Sequence, residues 1–367
     1  MKKLLSVVFA LSLAVSTTAC GNYKAVSSSS SAPVSSSQPA SSSEASAASS
    51  SGSETIASGP VIEMKLAHYA AVDHPGGIAA QMFADNIAKR TNGAIHISVY
   101  PNNELGAPDE MLEQNILGAV DMTLGTQGSL DKYSKKFATV MLPFVFDNYQ
   151  HAYDVLDGPF YDWTVNDLDE QGLVFVGSWD YGFRNLTNSK HPVNSPADVS
   201  GLKIRTPGEI QLQSCMEALG ANVQKIAFNE LYLSLKQGVV DGQENPLAVI
   251  YYNKYYEAQK YLAITNHVYN SMNLVISKKT WEKLTPEQQT IIREESKNAA
   301  DYMRGAIQSS EENYIKLLEE QGMEVTYPDR AQFAALMEPS YKAISEYCGN
   351  QEYIDTFLKM VDDCRKK

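Results

Sequence analysis

The sequence predicts an α/β protein with mostly parallel sheets. Two observations carry this. Apolar segments of strand period and helix period alternate steadily along the chain, with glycine and proline marking the joints. A short landmark pattern also recurs, in the same element order, at two distant places.

The elements follow in order. VIEMKLAHYA (61–70) alternates into a strand. GGIAAQMFADNIAKRTNG (76–93) sets Ile78, Met82, Phe83 and Ile87 on one helical face and stops at Asn92-Gly93. AIHISVYP (94–101) is a strand, PDEMLEQNILG (108–118) a short helix and AVDMTLG (119–125) a strand. LVFVGSWD (173–180) is a buried strand. GLKIRTP, EIQLQSCMEALG, ANVQKIAF and NELYLSLKQG repeat strand, helix, strand, helix from 201 to 238. HVYNSMNLVIS (267–277) is a strand. Thr285 then caps a helix with Pro286 in its first turn, and the pattern runs to Gln321 before Gly322 stops it. Two further helical stretches close the chain.

The recurring landmark is Asn103-Glu104-Leu105, leading through a helix to Gly118-Ala119-Val120-Asp121. Its echo is Asn229-Glu230-Leu231, leading to Gly238-Val239-Val240-Asp241, with a spacing six residues shorter. A duplicated unit predicts two similar lobes with a central cleft, where hinge closure can bury a small ligand.

The N-terminus has its own logic. Lys2 and Lys3 precede an apolar run from Leu4 to Val15 and small residues before Cys20, which is the pattern of a secretory signal peptide. Cys20 after Thr17-Thr18-Ala19 resembles a bacterial lipobox, although Thr17 stands where Leu is usual. Lipidation of Cys20 is the favoured expectation; ordinary cleavage leaving a free thiol is the alternative. From Gly21 to Gly59 the chain is serine-rich and too poor in apolar residues to offset chain entropy. As a flexible tether it would reach on the order of 35 Å.

Composition excludes several functions. The formal charge is −13, and −15 once the two charges of Lys2 and Lys3 are removed. With no basic stripe, nucleic acid is excluded as a partner. Cys215, Cys348 and Cys364 form no C-x-x-C pair, so no metal site is expected; a Cys348–Cys364 bridge stays open. G-x-S-x-G, G-x-G-x-x-G, a phosphate loop and H-E-x-x-H are all missing. GVVDGQENP (238–246) offers Asp241 and Glu244 as an acid/base pair, but no nucleophile accompanies them.

Arginine is more informative, because its fork matches a carboxylate bidentately. Only seven of the 30 basic residues are Arg. Arg205 ends the apolar strand GLKIRTP, and Arg184 sits in WDYGFRNLTN; both read as strand-to-loop junctions, where open α/β sheets hold ligands. An internal ion pair is the competing reading for each. Phe228 reads as a cleft wall and His68 as a ligand contact at the end of the first strand. Tyr252, Tyr255 and Tyr256 share a helical face and read as core.

ALGA (218–221), VDGQENPL (240–247) and TNHVY (265–269), in this order and spacing, resemble the extracytoplasmic solute-binding subunit of TRAP transporters, the C4-dicarboxylate-binding type. The resemblance runs from about Met64 to the C-terminus. It implies a periplasmic-binding-protein-like fold of two lobes around a ligand cleft, with a long helix spanning the lobes. It also implies a binding protein rather than an enzyme, with no cofactor, working as a monomer. The implied ligand is a small organic-acid anion, a uronate or other sugar acid or a C4-dicarboxylate, delivered to a sodium-driven permease.

Residue by residue, Arg205 sits at the position of the carboxylate clamp, Arg184 at a second basic contact, Asn245 at a ligand-binding amide and Phe228 at an aromatic wall. His68, Asp73, Gln127 and Gln211 are further candidate contacts, and Glu209 reads as a first-turn residue. Thr126-Gln127 stand where sialate-binding members carry an acid, which argues against sialic acid. Glu244 is expected to hold neighbouring donors and Asp241 to stabilise a turn.

The implied organisation is a signal peptide (1–19), lipidated Cys20 with its linker (20–59), lobe I (60–181), lobe II (182–270), a return to lobe I (271–310) and C-terminal helices mainly on lobe II (311–367). The expected location is extracytoplasmic, anchored to the outer face of the cell membrane or periplasmic. A ligand-sensing module for a membrane receptor is the alternative, with an exported hydrolase or lyase behind it.

Overall fold

The computed structural model describes residues 61–366. The expected signal peptide, Cys20 and the serine-rich segment lie outside the described residues.

The first half runs β1 (Ile62–His68), α1 (Pro75–Arg90), β2 (Ile95–Tyr100), α2 (Pro108–Leu117) and β3 (Met122–Thr126). The short helix α3 (Gln127–Leu130), then α4 (Tyr149–Leu156) and α5 (Pro159–Thr164), lead to the long strand β4 (Leu173–Asn188). The second half runs β5 (Lys203–Thr206), α6 (Ile210–Ala218), β6 (Asn222–Lys225), α7 (Leu231–Lys236) and β7 (Gly242–Pro246). It continues through α8 (Leu247–Tyr252) to the second long strand, β8 (Tyr261–Ser277). The chain closes with α9 (Lys278–Trp281), α10 (Pro286–Glu320), β9 (Glu324–Thr326), α11 (Arg330–Ala334), α12 (Glu338–Cys348) and α13 (Gln351–Arg365).

One sheet links these strands in the order β2-β1-β3-β8-β4-β7-β5-β6, with β9 beside β8. The order is palindromic in topology. β1 pairs in parallel with β2 and β3, and β3 runs antiparallel to β8; β5 pairs in parallel with β6 and β7, and β7 runs antiparallel to β4. The sequence echo therefore marks the same corner of each half. Gly118 (φ +80°) and Gly238 (φ +67°) take the left-handed turn that ends α2 and α7. Asp121 and Asp241 then precede β3 and β7.

β4 and β8 pair with each other along both halves, antiparallel. Two corrections to the sequence reading follow. The sheet is mixed rather than mostly parallel, because its two longest strands run antiparallel. Both strands are also longer than expected: β4 continues through WDYGFRNLTN and β8 begins at Tyr261. Every residue of β4 except Gly177 is buried, so no alternation betrays the strand. Register shifts between Asp180 and Gly182 and between Arg184 and Leu186 further break the pattern. Val239 and Val240 lie in the bend before β7.

The long helix α10 has a Thr285/Gln288 capping box and 35 residues, a length of about 52 Å. Its first turns meet α1, where Arg90 binds Glu294 and Glu295 at 2.5 and 2.8 Å. Its last turns meet α8, where the hydroxyls of Tyr314 and Tyr252 lie 3.4 Å apart. Between them Trp179 of β4, fully buried, donates to Ser296 Oγ at 3.0 Å and stacks edge-on against Phe83 of α1. Truncating such an aromatic costs about 3–5 kcal/mol.

α4 and α5 carry no strong sequence signal and were not foreseen. Cys348 and Cys364 are both free thiols, facing the carbonyls of Lys135 and Asp154 respectively, so the possible bridge does not form. None of the described helices is long and apolar enough to cross a membrane.

Candidate functional site

A cavity of about 450 Å³ opens where the ends of the strands from the two halves meet. This volume suits a small organic ligand. Tyr69 (after β1), Thr126 (end of β3) and Gly128 line it from the first half. Arg205, Glu209, Gln213, Phe228 and Asn245 line it from the second, and Tyr181 and Arg184 come from β4.

Arg205 lies on β5, and its side chain is only 1% exposed. Its Nε donates to the Ile226 carbonyl at 2.8 Å, while Nη2 has no partner among the described residues. No carboxylate lies within ion-pair distance of it among the described residues. Burial lowers its pKa from the ordinary value. A buried, unneutralised guanidinium facing a cavity is costly unless an anion completes it.

Arg184 is held very differently. Its Nε donates to Glu244 Oε2 at 2.5 Å and its Nη2 to Glu244 Oε1 at 2.9 Å. Nη1 donates to Asn270 Oδ1 at 2.7 Å, and Nη2 also reaches Asn245 Oδ1 at 3.0 Å. Burial pushes the Glu244 carboxyl up, but the Arg184 charge and the hydrogen bonds from His267 and Arg184 outweigh it and hold it below the usual range. His267, its own pKa lowered by burial, donates from Nε2 to Glu244 at 3.1 Å and accepts from Thr265 at Nδ1. Arg184 is thus a neutralised strut. It fixes the Asn245 carboxamide, whose amide group also faces Gln243 Oε1.

Aromatic rings close one side. Phe228 meets Tyr69 edge-on at 5.3 Å, and Tyr69 meets Tyr181 edge-on at 5.4 Å. The Tyr69 hydroxyl is buried with no hydrogen-bond partner among the described residues. Opposite, Thr126 Oγ1 donates to Glu209 Oε1 at 2.9 Å, joining the two halves across the cavity. Among the described residues, no group of three His, Cys, Asp or Glu side chains could hold a metal ion.

Residues 66–347 match the family described as bacterial extracellular solute-binding protein, family 7. The chain belongs to this family, the solute-binding subunits of TRAP transporters, which bind substrates rather than convert them. It is 38% identical over 272 residues to an uncharacterized protein of Sinorhizobium fredii, covering 74% of this chain and only 50% of that relative. It is 31% identical over 296 residues to the C4-dicarboxylate-binding periplasmic protein DctP of Rhodobacter capsulatus, covering 78% of this chain and 88% of the relative. A TRAP periplasmic solute-binding protein from Sulfitobacter, solved with bound β-D-galacturonate, superposes with a TM-score of 0.78 at 30% identity, covering 82% of this chain and 99% of that one.

Of the site residues expected in this solute-binding protein, the structure brings Arg205, Arg184, Asn245 and Phe228 to one cavity. It does not bring the other four there. His68 is fully buried, with neither ring nitrogen hydrogen-bonded among the described residues and burial lowering its pKa to about 4. Asp73 sits in an exposed turn. Gln127 points into the interior, where its Oε1 accepts from Ser271 Oγ at 2.8 Å. Gln211 spends its amide on Asp131 Oδ2 and the Ala138 carbonyl, at 3.1 and 2.9 Å. For three of the four a neighbour lines the cavity instead: Tyr69 beside His68, Thr126 and Gly128 around Gln127, and Gln213 two residues after Gln211.

Arg184 lies inside a strand and not at its end. Glu209, read as a first-turn residue, lines the cavity. Tyr69 was missed, although its place at the end of the first strand was the available signal.

Proposed function

We propose that this chain captures a small organic-acid anion, a sugar acid or a C4-dicarboxylate, and delivers it to the permease of a sodium-driven TRAP transporter. The observation that carries this reading is Arg205, a buried guanidinium facing the cavity without an acidic partner. A ligand carboxylate there forms the charge-assisted, bidentate pair that the protein itself does not supply. Asn245, positioned by Arg184, and the Tyr69 hydroxyl supply further polar contacts; Phe228 covers an apolar face of the ligand. The galacturonate bound by the Sulfitobacter relative and the dicarboxylate named for the Rhodobacter relative support the ligand class.

We also propose that Cys20 is the lipid anchor after removal of 1–19, that 20–59 is the tether, and that the protein works as a monomer outside the cytoplasm. In the proposed lobe division, the boundaries 181/182 and 270/271 fall mid-way along β4 and β8, where Gly182 pairs with Asn270. A thermal-shift screen of uronates, aldonates and C4-dicarboxylates tests the reading. A sugar acid or dicarboxylate raises the melting temperature of the wild type, and Arg205→Ala abolishes the rise. Undiminished stabilisation of Arg205→Ala would falsify it.

A further inference from the structure

Glu209 stands at the N-cap position of α6 and reaches across the cavity to the first half. Its Oε1 accepts from Thr126 Oγ1 at 2.9 Å, and Thr126 Oγ1 is itself 3.2 Å from Ser129 Oγ. Among the described residues Oε2 has no side-chain donor. The side chain lies so close to α3 that a Cβ built on Gly128 would come 1.9 Å from Glu209 Cγ. Glycine at 128 therefore makes room for this carboxylate. Burial raises the Glu209 pKa, against the Thr126 hydrogen bond and the nearby charges of Arg184 and Arg205.

The charge inventory of the cavity is lopsided. Arg184 is neutralised by Glu244, and Lys132 is paired with Asp109 at 2.6 Å. Lys225 is exposed at the rim. One buried cation, Arg205, is left for a ligand, and a carboxylate, Glu209, shares the cavity with it. A carboxylate with a free oxygen accepts hydrogen bonds from hydroxyl groups and repels a second anion. Asp131, which also lines the cavity, is a further carboxylate whose two oxygens are occupied by Tyr347 and Gln211.

We propose that Glu209 is a specificity-determining residue that restricts this cavity to acids with one carboxylate and several hydroxyls, and rejects diacids of the same carbon chain. The proposal rests on the reading that Arg205 takes the ligand carboxylate. The single carboxylate pairs with Arg205, and a distal hydroxyl donates to Glu209. In a diacid that distal position carries a second negative charge, set against Glu209 in a closed cavity. Discrimination of this kind works through a repulsive element as well as an attractive one.

The test is isothermal titration calorimetry on the folded chain, with D-galacturonate and D-galactonate as monoacids and galactarate as the matching diacid. The wild type binds a monoacid at least ~100-fold more tightly than galactarate, the scale of a like-charge clash costing several kcal/mol. Glu209→Gln, which keeps the shape and the hydrogen-bonding oxygen, narrows that ratio at least ~10-fold, mainly by improving galactarate. Thr126→Val, which frees the carboxylate from its anchor, weakens monoacid binding without admitting galactarate. Equal wild-type affinity for monoacid and diacid, or a Glu209→Gln variant that shifts both by one factor, overturns the proposal. Arg205→Ala separates the two claims. If it retains monoacid binding, or if no probe binds the wild type, the carboxylate reading itself falls and Glu209 with it. If it loses all binding while Glu209→Gln leaves selectivity intact, only the role of Glu209 falls.

Discussion

Asp121 and Asp241 do the same structural work in the two halves of the molecule. Asp121 Oδ2 accepts the backbone N–H of Lys65 in the middle of β1, at 2.8 Å; Asp241 Oδ2 accepts that of Lys203 at the start of β5, at 2.9 Å. Their carbonyls repeat the match, accepting from Ser277 N and Ser189 N at 2.8 and 2.9 Å. Each aspartate thus ties a turn to the neighbouring parallel strand and to the long strand beside it. The acid that suggested catalysis in GVVDGQENP is one member of this structural pair.

The first prediction concerns that pair. Asp121→Ala and Asp241→Ala each lower stability by about 1–3 kcal/mol, the worth of a charged hydrogen bond. Urea unfolding checks this, and the two losses add within ~0.5 kcal/mol because the sites share no partner. Burial alone would raise the Asp241 pKa. The Lys203 N–H and the Lys190 ammonium outweigh it and hold it below 3.8. Its contribution is therefore present above pH 3.8 and is lost as the pH falls below that value. Asp241→Ala and wild type converge in stability at the acid end.

The second prediction separates the two cavity arginines. Arg184→Ala strands Glu244, fully buried, and costs about 3–5 kcal/mol without any ligand present. Arg205→Met removes a buried cation that has no acidic partner, so the ligand-free protein gains stability while ligand binding is lost. Calorimetric melting of both variants, with and without a sugar acid, distinguishes them. A ligand-free Arg205→Met that melts well below the wild type would contradict the unpaired state of Arg205.

The third prediction is a pH dependence. Asp180 is fully buried on β4 beside the bulge at Gly182, with the hydroxyls of Tyr153 and Tyr269 donating to it. Burial raises its pKa from 3.8 to about 6, against those hydrogen bonds and the Arg304 charge. A raised acid favours the folded state below the unfolded pKa, and this contribution is lost as pH climbs through the folded one. The loss runs from about pH 4 to 6 and amounts to roughly 2–3 kcal/mol. Asp180→Asn removes that slope, so its stability relative to wild type improves between about pH 4 and 6 and levels off above. Unfolding free energies at four pH values test it; a constant difference would show that Asp180 does not titrate there.

What was legible in the sequence, and what was not, follows from the kind of signal each feature leaves. β1, α1, β2 and α10 bury one face and expose the other, so their periods stand out. The duplicated corner was visible because glycine and aspartate do position-specific work there. The long strands were cut short because burial on both faces and their bulges erase period 2, as at Asp180 and Gly182. Among site residues, the four matched one by one to the family pattern, Arg205, Arg184, Asn245 and Phe228, line one cavity. His68 missed by one position, because successive residues of an extended segment face opposite sides. His68 therefore points to the core while Tyr69 points to the cavity. Glu209 was unreadable, since its role depends on Gly128, some eighty positions away.

That contact supplies the last prediction. Gly128→Ala places a methyl group 1.9 Å from Glu209 Cγ. The obstruction is the middle of the side chain, anchored at its tip by Thr126, so the carboxylate must swing out or the two halves must part slightly. Overpacking of this sort costs about 1–3 kcal/mol. Glu209→Ala on its own removes the obstruction and the hydrogen bond from Thr126. In the double variant the alanine at 128 fills space that Glu209 has left, so the cost of Gly128→Ala largely disappears. A double-mutant cycle in melting free energy therefore shows a coupling of about 1–3 kcal/mol between residues 128 and 209. Strict additivity would mean that α3 and the N-terminus of α6 do not touch in solution as they do here. The two halves would then meet across the cavity without the Thr126–Glu209 contact.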